Sequence, residues 1–125
     1  MGLTYLYDTN IFIDFFSGRS RIDEIFSFDF INQNDIIISQ INRIELLSHP
    51  NILPAEEKMF EFFLNSFRII NINTEIEKLT IQLRRKYKLK LPDAIIASTA
   101  ISENAEIVTR DLKDFSKIKE LKLYK

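Results

Sequence analysis

Four carboxylates, Asp8, Glu45, Asp93 and Asp111, stand where sequence pattern least explains them. Asp8 follows the apolar run Leu3–Tyr7, and Asp111 follows Ile107-Val108 with Thr109 and Arg110 between. Asp93 comes directly after Pro92 at the head of the apolar stretch Ala94–Ala97, and Glu45 stands beside Ile41 and Ile44. Carboxylate oxygens are hard donors suited to Mg²⁺ or Mn²⁺, and such ions activate water and neutralise charge developing on phosphate oxygens. Each acid also has a plainer use. Asp8 can cap a helix starting near Asn10, Asp93 can favour a helix dipole, Glu45 can pair with Arg43, and Asp111 can cap a turn before Phe115. Taken together, two acids after strands and two on helices bordering apolar sequence are better explained by a metal site.

Elimination narrows the chemistry further. The chain has no cysteine, which removes thiolate ligands, thiol nucleophiles and disulfides. Its one histidine, His49, lies in a Ser-His-Pro segment that reads as a solvated turn, so neither a histidine acid–base pair nor a Ser-His-Asp triad is expected. With only two glycines and no Gly-Lys-Ser/Thr run, no phosphate-cradling loop is expected. A phosphatase working through Asp8 of the haloacid-dehalogenase type would want a second aspartate where this chain has Asn10.

The elements that must hold these residues alternate. Apolar, β-branched runs at Leu3–Tyr7, Asp35–Ser39, Arg68–Ile70 and Ile107-Val108 predict strands, with a last one at Lys119–Leu123. Between them, helical spacing predicts helices over Ile11–Phe16, Arg21–Phe28, Gln40–Leu47, Pro54 to about Ser66, Thr74 to about Tyr87, and Asp93–Ser102. Ser17-Gly18 should stop the first helix, and the last helix, apolar on nearly every side, should be central. Such alternation predicts an α/β fold: a three-layer sandwich with a mostly parallel sheet of 4–5 strands and helices on both faces. Asp8 and Asp111 would then lie at the C-terminal strand ends, where open parallel sheets place their active sites.

At 125 residues, positions 1–125 read as a single domain. Net charge is −1, which argues against wholesale coating of nucleic acid, but residues 1–62 carry 4 basic and 10 acidic groups and residues 63–125 carry 13 and 8. This asymmetry can set an acid site beside a surface that attracts phosphate, or simply reflect two solvated faces. No charged leader with a cleavage site and no apolar run of about 18 residues is present, so a cytoplasmic protein without membrane association is expected.

The same residues resemble the PIN-domain nucleases, and among them the VapC toxins of bacterial toxin–antitoxin pairs. Tyr5-Leu6-Tyr7-Asp8-Thr9-Asn10-Ile11-Phe12-Ile13-Asp14 looks like that family's opening strand and first acid. Ile44-Glu45-Leu46 resembles its second acidic motif, and Leu91-Pro92-Asp93-Ala94-Ile95-Ile96-Ala97-Ser98-Thr99-Ala100 is the most specific match. Val108-Thr109-Arg110-Asp111-Leu112-Lys113-Asp114-Phe115 resembles the fourth. The chain departs from the family in Ser48-His49-Pro50, where a small residue often follows the second acid. It also carries Asp111 where many relatives have asparagine, together with Asp114 where their last acid stands. Asp111 is therefore the first expectation for the metal and Asp114 the second.

The resemblance implies a PIN fold and a Mg²⁺- or Mn²⁺-dependent endoribonuclease in which water attacks a phosphodiester, leaving a 5′-phosphate and a 3′-hydroxyl. Asp8, Asp93 and Asp111 would bind metal directly, and Glu45 would act through water or orient the nucleophile. Thr9, Asn10, Thr109 and Asp114 would support the site. An antitoxin partner and a homodimer are also implied. From the residues themselves, Ile11, Phe12, Ile13, Phe15 and Phe16 cannot all face one side of a helix, so an exposed apolar patch is expected there. Arg84, Arg85 and Lys86 form the densest basic run, either a solvated helix end or an RNA backbone contact with Tyr87 available for stacking.

Overall fold

A computed structural model describes residues 2–18 and 24–124. Five strands, β1 (Thr4–Tyr7), β2 (Asp35–Ser39), β3 (Arg68–Ile70), β4 (Glu106–Val108) and β5 (Lys122–Leu123), form one sheet in the order β3-β2-β1-β4-β5. Every pairing is parallel, so the expected "mostly parallel" sheet is wholly so among the described residues.

Among the described residues seven helices connect the strands: α1 (Thr9–Phe16), α2 (Phe28–Gln33), α3 (Gln40–Leu47), α4 (Pro54–Leu64), α5 (Thr74–Lys86), α6 (Leu91–Ser102) and α7 (Leu112–Phe115). Alternation along the strands sends successive side chains to opposite faces. Leu6, Ile37 and Ile107 meet Leu83 of α5, the small face of α6 and Phe115 of α7. Tyr7, Ile36, Ile38 and Val108 meet Ile11 and Phe12 of α1, Leu46 of α3 and Leu64 of α4. The three layers are thus helices, sheet and helices. Ala94 through Ala100 are all buried, which makes α6 the central helix that its composition predicts.

The expected helix over Arg21–Phe28 is corrected over its described part, residues 24–28. Residues 19–23 lie outside the described residues, and 24–26 form a turn. Helix α2 begins only at Phe28, because Ser27 is extended and its Oγ accepts from the Phe30 N–H at 3.1 Å, the hydrogen bond of an N-cap. Gly18, at φ 75°, closes α1 in a left-handed conformation that its missing Cβ permits.

Most phenylalanines fill the core. Phe15 stacks on Phe26 with ring centroids 4.1 Å apart, and Phe63 and Phe67 extend the cluster. Phe28 and Phe62 stay out of it, 80% and 75% exposed.

Candidate active site

Strand order reverses at β1: the chain steps outward through β2 to β3, then returns to place β4 on the other side of β1. The C-terminal ends of β1 and β4 therefore border the crevice where this class of sheet collects ligands. Asp8 leaves β1 there. Its backbone N–H still donates to the Val108 carbonyl at 3.0 Å, extending the ladder by one residue. Its carboxylate then turns to cap α1, Oδ1 accepting from the Thr9 N–H at 2.8 Å. The cap and the site are the same residue.

Asp8 is 6% exposed and has no cationic partner among the described residues. Neutral donors surround it instead. Asn42 Nδ2 donates to Oδ1 at 3.2 Å, the Thr109 hydroxyl donates to Oδ2 at 2.7 Å, and Asn10 Nδ2 approaches Oδ2 at 3.4 Å. Burial pushes the Asp8 carboxyl above its ordinary range; the hydrogen bonds from Thr109 and Thr9 pull it back, and the charge of Glu45 pushes it up again.

Asp93, Asp111 and Asp114 each bring a carboxylate oxygen to within 4.8 Å of the other two. Asp93 is in the first turn of α6, held there by Pro92 at the second helical position, where proline's fixed φ suits the start of a helix. Asp111 occupies the cap position of α7, yet its side chain makes no capping hydrogen bond, which leaves the carboxylate free. Asp114 follows one turn later on the same short helix and is exposed. None of the three is ion-paired to a described residue.

The consequence is electrostatic. Asp93 is pushed above its ordinary range by burial first, then by the charges of Asp8, Asp111 and Asp114, with Lys90 pulling the other way. Like charges crowded without a compensating cation are what a divalent ion relieves, and an all-carboxylate set suits Mg²⁺ or Mn²⁺ over a soft metal. The structure thus brings both Asp111 and Asp114 to Asp93. Asp8 lies outside that tightest triad but is close enough for its charge to act on Asp93.

Glu45 is placed differently from the expectation that it borders the core. Ile44 is 49% exposed and Glu45 itself is exposed, because the buried face of α3 is the one carrying Asn42 and Leu46. Nor does it pair with Arg43 among the described residues: Glu45 Oε1 accepts from the Thr9 hydroxyl at 3.0 Å. Thr9 thereby joins the second acid to the first. Thr109 and Asn10 organise the other side, Thr109 Oγ1 accepting from the Asp111 N–H at 3.0 Å and Asn10 Oδ1 from the Arg110 N–H at 3.1 Å.

Two residues escaped sequence reasoning. Asn42 is 1% exposed and touches both Asp8 and Thr9. Its signal was its place three residues after Ser39, the spacing of a helix N-cap and its reciprocal partner. Asp14 is 7% exposed on α1 and takes an ion pair from the Arg110 guanidinium, tying α1 to the loop that carries Asp111. It was the one charge in the run Ile11–Phe16.

The basic run divides. Arg84 and Arg85 join Lys88 and Lys90 around a groove floored by Ile81 and Leu91 that leads to the start of α6. Lys86 points elsewhere, to Glu120 at 3.1 Å, and the Tyr87 hydroxyl donates to the same carboxylate at 2.7 Å. On the other helical layer, Ile13, Phe16, Leu46, Met59 and Phe60 line a second groove beside Glu45. Of the run Ile11–Phe16, Ile11 and Phe12 are buried, Phe15 and Phe16 pack half-buried against the core, and only Ile13 is exposed, at 41%, so the apolar surface that α1 leaves is smaller than expected. His49 is an exposed turn residue at its rim, Nδ1 accepting from the Asn51 N–H at 3.3 Å.

An all-parallel 3-2-1-4-5 sheet between helical layers, with carboxylates converging at its switch point, defines a class, and comparison with known proteins agrees with it. The sequence pattern of the PIN domain matches residues 5–121, and this chain belongs to the PIN-domain family. It is 31% identical to Ribonuclease VapC1 of Methanocaldococcus jannaschii over 95% of this chain and 85% of that protein. A toxin–antitoxin complex from Klebsiella pneumoniae contains a chain that is 38% identical, with 94% of each chain covered and a TM-score of 0.76. VapBC2 from Rickettsia felis, crystallised bound to a promoter DNA fragment, gives a TM-score of 0.85 at 26% identity over 98% of both chains. The named relatives thus include a VapC ribonuclease and a VapBC complex, in agreement with the resemblance read from the sequence motifs.

Proposed function

We propose that this chain is a metal-dependent endoribonuclease, the toxin of a toxin–antitoxin pair, and that it hydrolyses RNA phosphodiester bonds at the Asp8–Asp93–Asp111 crevice. The observation that carries this reading is the uncompensated cluster of Asp93, Asp111 and Asp114 beside buried Asp8 at the sheet's switch point. The ribonuclease named among its relatives supports the substrate class.

Asp8, Asp93 and Asp111 would hold Mg²⁺ or Mn²⁺, with Asp114 close enough to share the task. When bound, such an ion lowers the pKa of a water and stabilises charge on the phosphate oxygens. The remaining work falls to the chain. Thr9, Asn10 and Thr109 fix the orientation of Asp8, and Glu45, held by Thr9 at the open rim, is positioned to orient the attacking water. Arg84 and Arg85, with Lys88 and Lys90, offer the RNA backbone a cationic path towards Asp93.

The Klebsiella and Rickettsia relatives are seen in complexes of the toxin–antitoxin type, which supports an antitoxin as this chain's partner. The groove around Ile13 and Met59 is the apolar surface we assign to it. We further propose a single domain, a homodimer and a cytoplasmic location; no helix among the described residues is long and apolar enough to cross a membrane.

Cleavage of a mixed RNA pool by purified, partner-free protein with Mg²⁺, Mn²⁺ or EDTA tests the central reading. Cutting that needs the metal and is lost in Asp93→Asn is expected. A well-folded protein that cuts nothing under any metal would replace the nuclease with a binding module of the same fold.

A further inference from the structure

We infer that Asn42 is a positioning residue that sets the first two acids of the site, Asp8 and Glu45, from a single buried amide. The inference rests on the metal-site reading above and deepens it.

Asn42 is the third residue of α3 and is 1% exposed. Its Oδ1 accepts from the Ser39 N–H at 3.1 Å, while Ser39 Oγ accepts from the Ile41 N–H at 3.2 Å, so the two side chains close the start of α3 reciprocally. That acceptor role fixes the amide's orientation, because a flipped Asn42 would set its NH₂ against the Ser39 N–H. Both Nδ2 protons are then aimed at the site, one at Asp8 Oδ1 at 3.2 Å and one at Thr9 Oγ1 at 3.0 Å.

The second bond gives the network a direction. Thr9 has one hydroxyl proton, and its oxygen already receives a bond from Asn42. The proton is therefore left for Glu45 Oε1 at 3.0 Å. Asn42 thus orients Asp8 directly and Glu45 through Thr9. A helix start of this kind more often carries glutamate or glutamine at the third position. Glutamate would satisfy Ser39 equally well but would set a negative charge against buried Asp8. A lysine would neutralise Asp8 and compete with a bound cation. A neutral amide short enough to sit behind Asp8 supplies a donor while leaving the full negative charge for the metal.

The test measures Mn²⁺ affinity of RNA-free protein by the loss of the free-ion EPR signal, alongside circular dichroism and melting temperature. Asn42→Leu fills the space without a donor, and Asn42→Ala leaves it open, so a folding failure in one does not spoil the other. Ser39→Ala removes the partner half of the helix cap without touching Asp8 and serves as the purely structural control. Both Asn42 variants should bind Mn²⁺ roughly 10–100-fold more weakly, the usual cost of removing a group that supports a metal ligand. Ser39→Ala should lower the melting temperature and keep the affinity. A folded Asn42 variant that binds Mn²⁺ as the unaltered protein does would overturn the inference, as would an equal loss in Ser39→Ala. Absence of Mn²⁺ binding in the unaltered protein would remove the metal-site reading itself, and this inference with it.

Discussion

The Thr109 hydroxyl donates to Asp8 Oδ2 at 2.7 Å, joining the ends of β4 and β1 across 101 positions of sequence. The same oxygen accepts from the Asp111 N–H at 3.0 Å, so Thr109 sets the distance between the first acid and the last motif. Thr109→Val keeps the shape and removes both bonds. Leaving buried Asp8 short of a donor costs about 1–3 kcal/mol. RNA cleavage should fall roughly 10–100-fold, the range for a group that supports a metal ligand. Activity assays paired with thermal melts read both effects; a valine variant as active as the original would show that Thr109 has no hold on Asp8.

Asp93→Asn should separate function from stability. Asp93 is crowded by the charges of Asp8, Asp111 and Asp114. Neutralising it removes that repulsion from the metal-free protein. Melting temperature in EDTA should rise by a few degrees, corresponding to about 0.5–1 kcal/mol once solvent screening of this partly exposed group is allowed for. Activity should fall by more than the roughly 10–100-fold of a merely supporting group. A destabilised variant would mean that Asp93 serves the start of α6 rather than a cation.

Much of this was legible in the chain because strong local signals and global fold agree. The β-branched run Ile36-Ile37-Ile38, the stop at Ser17-Gly18 and the small, apolar face of α6 each specify one outcome. The places of Asp8 after β1 and Asp111 after β4 were legible because the apolar runs before them specify buried strands. The placement of Glu45 was not legible. Ile41 and Ile44 imply an apolar border, but α3 turns Asn42 and Leu46 inward and leaves Ile44 and Glu45 out. Which face of a short helix is buried depends on its neighbours, and no period over eight residues settles it. Asn42 and the Asp14–Arg110 pair were missed because their partners lie 33 to 96 positions away. Helix α2, over Phe28–Gln33, was missed because its signal is the cap at Ser27, within the run whose spacing predicts the preceding helix.

The raised carboxyls also fix the sign of a pH effect. Asp8 and Asp93 hold protons in the folded metal-free protein at pH values where the unfolded chain, near an ordinary carboxylate pKa of about 4, has lost them. From that value up to the raised folded pKa values the folded state binds more protons, so lowering the pH within this window stabilises it. Urea midpoints in EDTA should therefore be higher near pH 5 than at pH 7.5, and the gain should shrink in Asp93→Asn. Saturating Mn²⁺ should reverse the order, because the cation binds the ionised carboxylates and adds stability only where they are charged. Midpoints in EDTA that simply fall with acid would deny the two carboxyls this role.

The basic run offers a test within one turn of helix. Arg84 and Arg85 border the groove that leads to the start of α6, whereas Lys86 is paired with Glu120 at 3.1 Å. RNA held through its backbone releases counterions, and the logarithm of affinity falls with the logarithm of salt by about 0.7 per phosphate on a single strand. To keep RNA intact, binding is measured in EDTA or on the Asp93→Asn background. Arg84→Ala and Arg85→Ala should each flatten the slope by up to about 0.7 and weaken binding most at low salt. Lys86→Ala should leave the slope unchanged, since it frees Glu120 without removing a cation from the groove. Equal flattening by all three would make the whole helix end the contact surface. No flattening by any would assign the run to solvent and move the RNA path to another face of the acid crevice.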